Sequence, residues 1–314
     1  MTLETDLLID RRRLKRRLLV WRVIAFVAVG VCVGLAFRLG GGGSVVGLAG
    51  VGSHIARVRI SGVIGDNRKL IEAIAAVGKD DTARALIVAI NSPGGSVGGS
   101  EALYIAIGEV AAKKPVVAVM GSVAASGGYM AAIAAPRIFA RESTITGSIG
   151  VLLSNFEVSG LLGKVGIGAE TLTSGPLKAQ PSLTQPLTGP GRTVLHALVM
   201  DMYDQFVEKV AVGRKMDVQK IRELADGRVY TGRQALRVGL IDAIGGETEA
   251  RAWLVAERGI TAALPVRDVD VKSKFEAVFG ETVDEFFGGA LKTLFSQHVK
   301  LDGAVALWQP FDTN

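Results

Sequence analysis

Residues 115–135 read Pro115-Val-Val-Ala-Val-Met-Gly-Ser-Val-Ala-Ala-Ser-Gly-Gly-Tyr-Met-Ala-Ala-Ile-Ala-Ala135. The first six residues are apolar and mostly β-branched, which predicts a strand over Pro115–Met120. The run from Tyr129 to Ala135 is small and apolar and predicts a helix. Between them, Gly121 to Tyr129 brackets Ser126 with Ala124, Ala125, Gly127 and Gly128, so nothing bulky shields its hydroxyl. A strand, a tight turn and a helix is the setting in which a serine nucleophile is presented, with the helix N-terminus favouring nearby negative charge. The same residues also suit a plain N-cap in a glycine turn. The rest of the chain decides between the two.

Outward from this stretch, apolar runs alternate with helical patterns. Ile55–Val63 alternates as a strand, and Lys69–Val77 reads as a helix. Ala83–Ile90 is nearly continuous in apolar residues, as in a strand covered on both faces. It ends in Asn91-Ser-Pro-Gly-Gly-Ser-Val97, and a helix is predicted from about Gly99 to Ala112. Short strands are predicted at Arg137–Ala140, Gly150–Ser154 and Gly168–Thr173. Leu161–Ile167 connects the last two. Strands alternating with helices imply crossovers and a mainly parallel sheet, an α/β fold. Ser174–Arg192 holds four prolines and reads as a loop, followed by long and short helices at Thr193–Val212 and Glu247–Arg258. Residues 271–296 place Phe275, Phe279, Phe286 and Phe295 among other apolar residues at helical spacing.

Glycine makes up 40 of the 314 residues, clustered at turns after apolar runs and without a collagen period. The net charge is +6, but seven Lys/Arg against three Asp/Glu put +4 of it into residues 1–22. The folded part is close to balance, which speaks against a nucleic-acid-binding face. One cysteine, Cys32, excludes a disulfide framework and a CxxC metal site. No spaced carboxylate or histidine cluster suggests a metal. From Leu18 to Phe37 the chain is apolar apart from Arg22. Twenty residues at about 1.5 Å each span a bilayer core. The preceding basic residues put the N-terminus in the cytoplasm and the rest outside, in the periplasm of an inner-membrane protein. The long basic region and the lack of an A-x-A site favour a retained anchor over a cleaved signal peptide. The expected organisation is a basic tail at 1–17, an anchor at 18–38, a glycine-rich tether at 39–53, a catalytic domain at 54–264 and a helical extension at 265–314.

A serine nucleophile needs a base and oxyanion donors. None of His54, His196 and His298 sits in a glycine-bracketed turn. A lysine can serve if desolvation lowers its pKa. Lys178 is the best candidate, flanked by Leu177 and Ala179, with no acid between Glu170 and Asp201. Ser92-Pro-Gly-Gly95 lies between a strand and a helix, where glycine lets backbone N–H groups approach a carbonyl closely.

At these positions the chain resembles the signal peptide peptidase A family, membrane-anchored serine proteases with a Ser–Lys dyad on a ClpP/crotonase-like fold. The resemblance rests on Ser92–Val97, Ala124–Tyr129, Thr146-Gly-Ser-Ile-Gly150, Thr173-Ser-Gly-Pro-Leu-Lys178, Arg228–Ala235 and Gly239–Gly246, in that order. It covers roughly residues 55–258 and matches the short form of the family. It implies Ser126 as nucleophile, Lys178 as general base and Ser148 as the residue that orients the lysine. Gly94, Gly95 and the Gly127 N–H would form the oxyanion hole. It further implies no cofactor, peptide substrates such as released signal peptides, and a ring-shaped homo-oligomer whose dyad is shared between adjacent subunits. Pro176 departs from a polar residue found in some relatives. A crotonase-like acyl-CoA enzyme would need neither Ser126 nor Lys178, and an inactive scaffold would not need to keep both.

Overall fold

The computed structural model describes residues 52–269 and, as backbone, residues 305–307. The expected anchor at 18–38, the tether up to residue 51 and the aromatic stretch 271–296 lie outside the described residues. No helix among the described residues is long and apolar enough to cross a membrane.

Residues 52–269 form nine strands and eight helices: β1 (His54–Ser61), α1 (Arg68–Val77), β2 (Ala83–Ser92), β3 (Gly94–Ser96), α2 (Val97–Ala111), β4 (Val116–Ala125), α3 (Gly127–Ala132), β5 (Ile138–Ala140), β6 (Ile145–Gly147), α4 (Ser159–Lys164), α5 (Gly189–Arg214), α6 (Val218–Leu224), β7 (Val229–Thr231), α7 (Gly232–Arg237), β8 (Ala243–Ile244), α8 (Glu247–Arg258) and β9 (Val266–Asp268). A tenth strand, β10, is Val305–Leu307. The main sheet runs β7-β6-β4-β2-β1-β9, with β5 also pairing with β4 and β8 pairing with β5. Every pairing in it is parallel except β6 with β7. The fold is α/β with a mainly parallel sheet, as the alternation of strands and helices predicts.

The two faces of β2 explain its unbroken apolar sequence. Leu86, Val88 and Ile90 join a core that includes Ile74 of α1, Ile107 of α2 and Phe206 and Val210 of α5. Ala85 and Ile87 point the other way, into a smaller core with Val117, Phe139 and Ala250 and Leu254 of α8. Side chains alternate across a strand, so a sheet covered on both sides needs apolar residues at every position.

β4 is the strand that positions the site. Its first half pairs with β5, Ala118 to Met120 against Ile138 to Ala140. Its second half pairs with β6, Val123 to Ala125 against Ile145 to Gly147. Thr144 and Thr146 fasten that second junction, donating their hydroxyls to Gly121 O and Ala124 O at 2.7 Å. These threonine hydrogen bonds account for one difference from the sequence reading. The strand expected at Gly150–Ser154 lies earlier, at Ile145–Gly147. The strand expected at Gly168–Thr173 is not formed; those residues are exposed and have no regular structure. With no sheet edge beside them, their β-branched residues have nothing to pack on. Of the extension expected at 265–314, the two described pieces are strands. β9 extends the main sheet beside β1, and β10 pairs with β3.

Candidate active site

Ser126 is the hinge between β4 and α3. Its φ is 54° and its ψ −119°, a left-handed conformation that costs a non-glycine residue about 1–3 kcal/mol. The backbone is held there from both sides. Ser126 N donates to Gly147 O at 2.8 Å, and Met130 N donates to Ser126 O at 2.9 Å as the first turn of α3. The residue is 1% exposed, and its Oγ has no hydrogen-bond partner among the described residues. A buried hydroxyl without a partner is uncommon and destabilising by about 1–3 kcal/mol. Strain and an unsatisfied hydroxyl therefore meet at one residue. Ser126 occupies the N-cap position of α3, but its side chain makes no capping hydrogen bond.

The two glycines after it are there for space. A Cβ at Gly127 would stand 2.1 Å from Ser100 Oγ and 3.3 Å from Gly95 N. One at Gly128 would stand 2.8 Å from Ser92 O. Helix α3 is thus pressed against the Ser92–Gly95 turn, and the Gly95 amide lies beside Gly127. That turn is itself tightly held. Gly94 has a φ of 105°, and its N–H donates to Ser92 Oγ at 3.1 Å. A Cβ at Gly95 would lie 1.9 Å from Ile64 O. Ser92 and Ser96 are buried with it.

Ser148 is next to this corner. It follows Gly147, which pairs with Ala125, the residue before Ser126. Ser148 is buried, its φ is 50°, and its N–H donates to Arg228 O at 2.9 Å. Gly147 has a φ of 77°, and a Cβ there would strike the Tyr230 ring at 2.6 Å. So Ser126, Ser148, Gly94, Gly95 and Gly127 come from separate segments of the chain to one end of the sheet.

Lys178 does not join them within this chain. It lies in an irregular segment between α4 and α5, with an exposed side chain, and its backbone N–H closes a turn to Gly175 O at 3.1 Å. Exposed apolar residues surround it in sequence, including Phe156 (79% exposed) and Leu172 (90% exposed). His54 is beside Thr82 and Asp80 at the start of β1, and His196 is exposed on α5. Neither is a partner of Ser126 Oγ. No metal-binding group of His, Cys, Asp or Glu is present among the described residues.

Sequence reasoning missed Ser100 and Ile64. Ser100 Oγ donates to Ser96 O at 2.8 Å one turn down α2, facing Gly127. Its spacing of four from Ser96 on a predicted helix is the signal that could have found it. Ile64 backs Gly95 through backbone groups alone, which no side-chain pattern encodes.

Comparison with known proteins gives this corner a context. A family model described as Peptidase family S49 matches residues 109–261, and one described as Clp protease matches residues 57–146. A putative protease of Synechocystis sp. is 41% identical over 208 residues, covering 66% of this chain and 75% of that protein. The chain belongs to peptidase family S49. A putative signal peptide peptidase of Enterococcus faecium is 36% identical over 67% of this chain and 65% of its own length. The chloroplastic serine protease SPPA of Arabidopsis thaliana is 37% identical over 68% of this chain, but only 32% of that longer protein is covered. Among solved structures, ClpP1 from Listeria monocytogenes aligns with 60% of this chain and 91% of its own at 16% identity and a TM-score of 0.39. This S49 chain is a serine protease.

Proposed function

We propose that the chain is a membrane-anchored endopeptidase that cleaves short or unfolded peptides, such as released signal peptides, with a Ser126–Lys178 dyad shared between subunits of a ring. Ser126 is the nucleophile. Its strained backbone and unsatisfied, buried Oγ are the observation that carries the reading. A nucleophile turned toward a missing base is one explanation for a hydroxyl left without a partner.

The supply of that base explains the loop. Lys178 is solvated within one chain, while Ser126 is buried. Contact with an adjacent subunit would cover the exposed Phe156, Leu161, Leu172, Leu177 and Leu183, and would bring Lys178 into a desolvated setting. Desolvation disfavours the ammonium form and makes a lysine a usable base. Ser148 then orients its amine, and the Gly95 and Gly127 N–H groups receive the oxyanion. Lys178 takes the Ser126 proton as Oγ attacks the peptide carbonyl. It returns that proton to the leaving amine, and water then hydrolyses the acyl-enzyme. The apolar segment 18–38 anchors the N-terminus, with the catalytic domain on the periplasmic side of the inner membrane.

Complementation tests the shared dyad. Ser126→Ala and Lys178→Ala chains are each inactive alone. Mixed in equal amounts and reassembled, they restore an intact Ser126–Lys178 pair at about a quarter of sites in a head-to-tail ring. A mixture that stays inactive, while native mass measurement shows mixed rings, would refute sharing.

A further inference from the structure

The parallel strands β1, β2, β4 and β9 all begin at one end of the main sheet. Ser126 follows the last residue of β4, at the opposite end. β4 is 10 residues long, so the two ends stand about 30 Å apart. Ser53, the residue before β1, lines an open cavity of about 580 Å³ at the first end. Arg84, Lys113, Lys114 and Arg258 line the same cavity, against one acid, Asp81.

A basic residue beside a helix C-terminus is ordinarily explained by the helix dipole. Lys114 fits that explanation. Its amine donates to the carbonyl of Val77, the last residue of α1, at 2.9 Å, and to Asp80 O. Arg84 does not fit it, being an exposed residue of strand β2. The side chains of Arg84 and the exposed Lys113 make no hydrogen bond or ion pair with a described residue. Arg258 is exposed too, its guanidinium 5.1 Å from the centre of the Trp253 ring. Three cations around one cavity repel one another, and an anionic surface laid against them relieves that repulsion.

The position of the cavity along the chain selects the surface. It lies where the chain arrives from the glycine-rich residues 39–52, which follow the apolar segment 18–38. About 14 flexible residues have a mean span of about 20 Å and a limit of about 50 Å. A tether of that length holds its two ends at high effective concentration, so a weak attraction suffices.

We propose that this basic end of the domain docks onto the anionic phospholipid headgroups of the bilayer that holds segment 18–38. The inference rests on the anchor reading above for the tether, whereas the charge of the cavity does not depend on it. Docked in this way, the domain holds Ser126 about 30 Å from the headgroups, and peptides reach it from the aqueous phase.

The test uses the full-length chain with Cys32→Ser and Glu257→Cys, which puts a single fluorophore on an exposed position beside Arg258. The protein is reconstituted into vesicles of phosphatidylcholine, with or without phosphatidylglycerol, that carry a headgroup-spin-labelled lipid as quencher. Quenching should be strong with phosphatidylglycerol, weak without it, and reduced by salt. One basic residue near an anionic surface raises association about fivefold, so Arg84→Glu/Lys113→Glu should lower the docked-to-free ratio at least tenfold. Arg84→Gln/Lys113→Gln should lower it less, and neither variant should change peptide hydrolysis in detergent. Equal quenching in the two vesicle types, or quenching of the charge-reversed variant equal to that of wild type, would overturn the proposal. Release by inorganic phosphate, but not by chloride at the same ionic strength, would assign the cavity to free phosphate and also overturn it. Flotation with phosphatidylcholine vesicles reports on the anchor separately. A chain that floats only with phosphatidylglycerol, and only with Arg84 and Lys113 intact, would keep the docking surface and remove the anchor.

Discussion

Ser126 and Ser148 leave two neighbouring parallel strands at matched register, one residue past the Ala125–Gly147 pair, and both are left-handed, with φ of 54° and 50°. Each backbone is fixed by its own hydrogen bond, Ser126 N to Gly147 O and Ser148 N to Arg228 O. The two strained residues are therefore built as a pair on one end of the sheet. Strain concentrated in this way is stabilised by the surrounding fold, here by the β4–β6 junction and the threonine hydroxyls that close it.

The strain at Ser126 is separable from its chemistry. Ser126→Ala and Ser126→Gly should both abolish hydrolysis, since both lack the hydroxyl. Only glycine also relaxes the left-handed backbone, so Ser126→Gly should be more stable than Ser126→Ala by about 1 kcal/mol. Thermal melting of the two inactive variants checks this. Equal midpoints would mean that the φ of 54° carries no strain.

Ser148 is a positioning residue in this reading, because it acts through the lysine. Ser148→Ala should lower kcat about tenfold with little change in KM, and should alter the pH dependence of kcat. A rate loss with an unaltered pH profile would assign Ser148 a structural part only.

Packing under Gly127 offers a second-site test. Gly127→Ala places a methyl 2.1 Å from Ser100 Oγ and displaces α3 from the Ser92–Gly95 turn. Both stability and activity should fall, the former by about 1–3 kcal/mol as in other overpacked cores. Adding Ser100→Gly removes the hydroxyl and the Cβ that the methyl meets, and should recover part of the activity at some cost to α2. If the double variant is no more active than Gly127→Ala, the block lies elsewhere.

Much of this was legible in the sequence, and what was missed has a physical reason. The apolar run Ala83–Ile90 predicts a strand covered on both faces, and the glycines around Ser126 mark a strand-to-helix corner. Both readings depend on side-chain pattern, which the sequence carries directly. The β6 position was missed because Thr144 and Thr146 act through hydrogen bonds to β4, a contact set by tertiary structure. The Ile64–Gly95 contact and the β10–β3 pairing are backbone interactions between distant segments, and no residue pattern announces them. The helical spacing read over 271–296 gives no hint that Val305–Leu307 is extended.

A partly buried ion pair joins the end of α5 to the start of β5. Arg214 at the end of α5 donates to both Asp242 oxygens, at 2.8 and 3.0 Å, and Asp242 Oδ2 also accepts from Ile138 N of β5 at 2.7 Å. Arg214 also donates to Gly239 O. Removing one member of a buried pair leaves the other charge uncompensated. Asp242→Ala should therefore cost about 3 kcal/mol in chemical denaturation, more than the replacement of both residues by apolar ones of similar size. A smaller loss in the single variant than in the double one would contradict the pairing.

The edge strand β9 gives a pH test of a different kind. Arg57 on β1 reaches Asp268 on β9 at 2.6 Å and Glu247 on α8 at 2.9 Å, and Arg59 adds a second contact to Asp268 at 3.1 Å. The Arg57 hydrogen bonds, with help from Arg59, hold the Asp268 carboxyl down at about 2. In the unfolded chain an aspartate titrates near 3.9. A depressed folded value means that the stabilisation is present above pH ~3.9 and is lost as pH falls toward ~2. Asp268 is half exposed, so solvent screens the pair and its worth is about 1 kcal/mol at most. Asp268→Asn should thus be less stable than wild type at pH 7 by up to about 1 kcal/mol. The gap should close as pH falls from ~4 to ~2 and should narrow in high salt at neutral pH. Urea titrations of both proteins across that range measure it. A difference that persists unchanged at pH 2 would show that the asparagine acts through packing of β9 on β1 and not through the charge of Asp268.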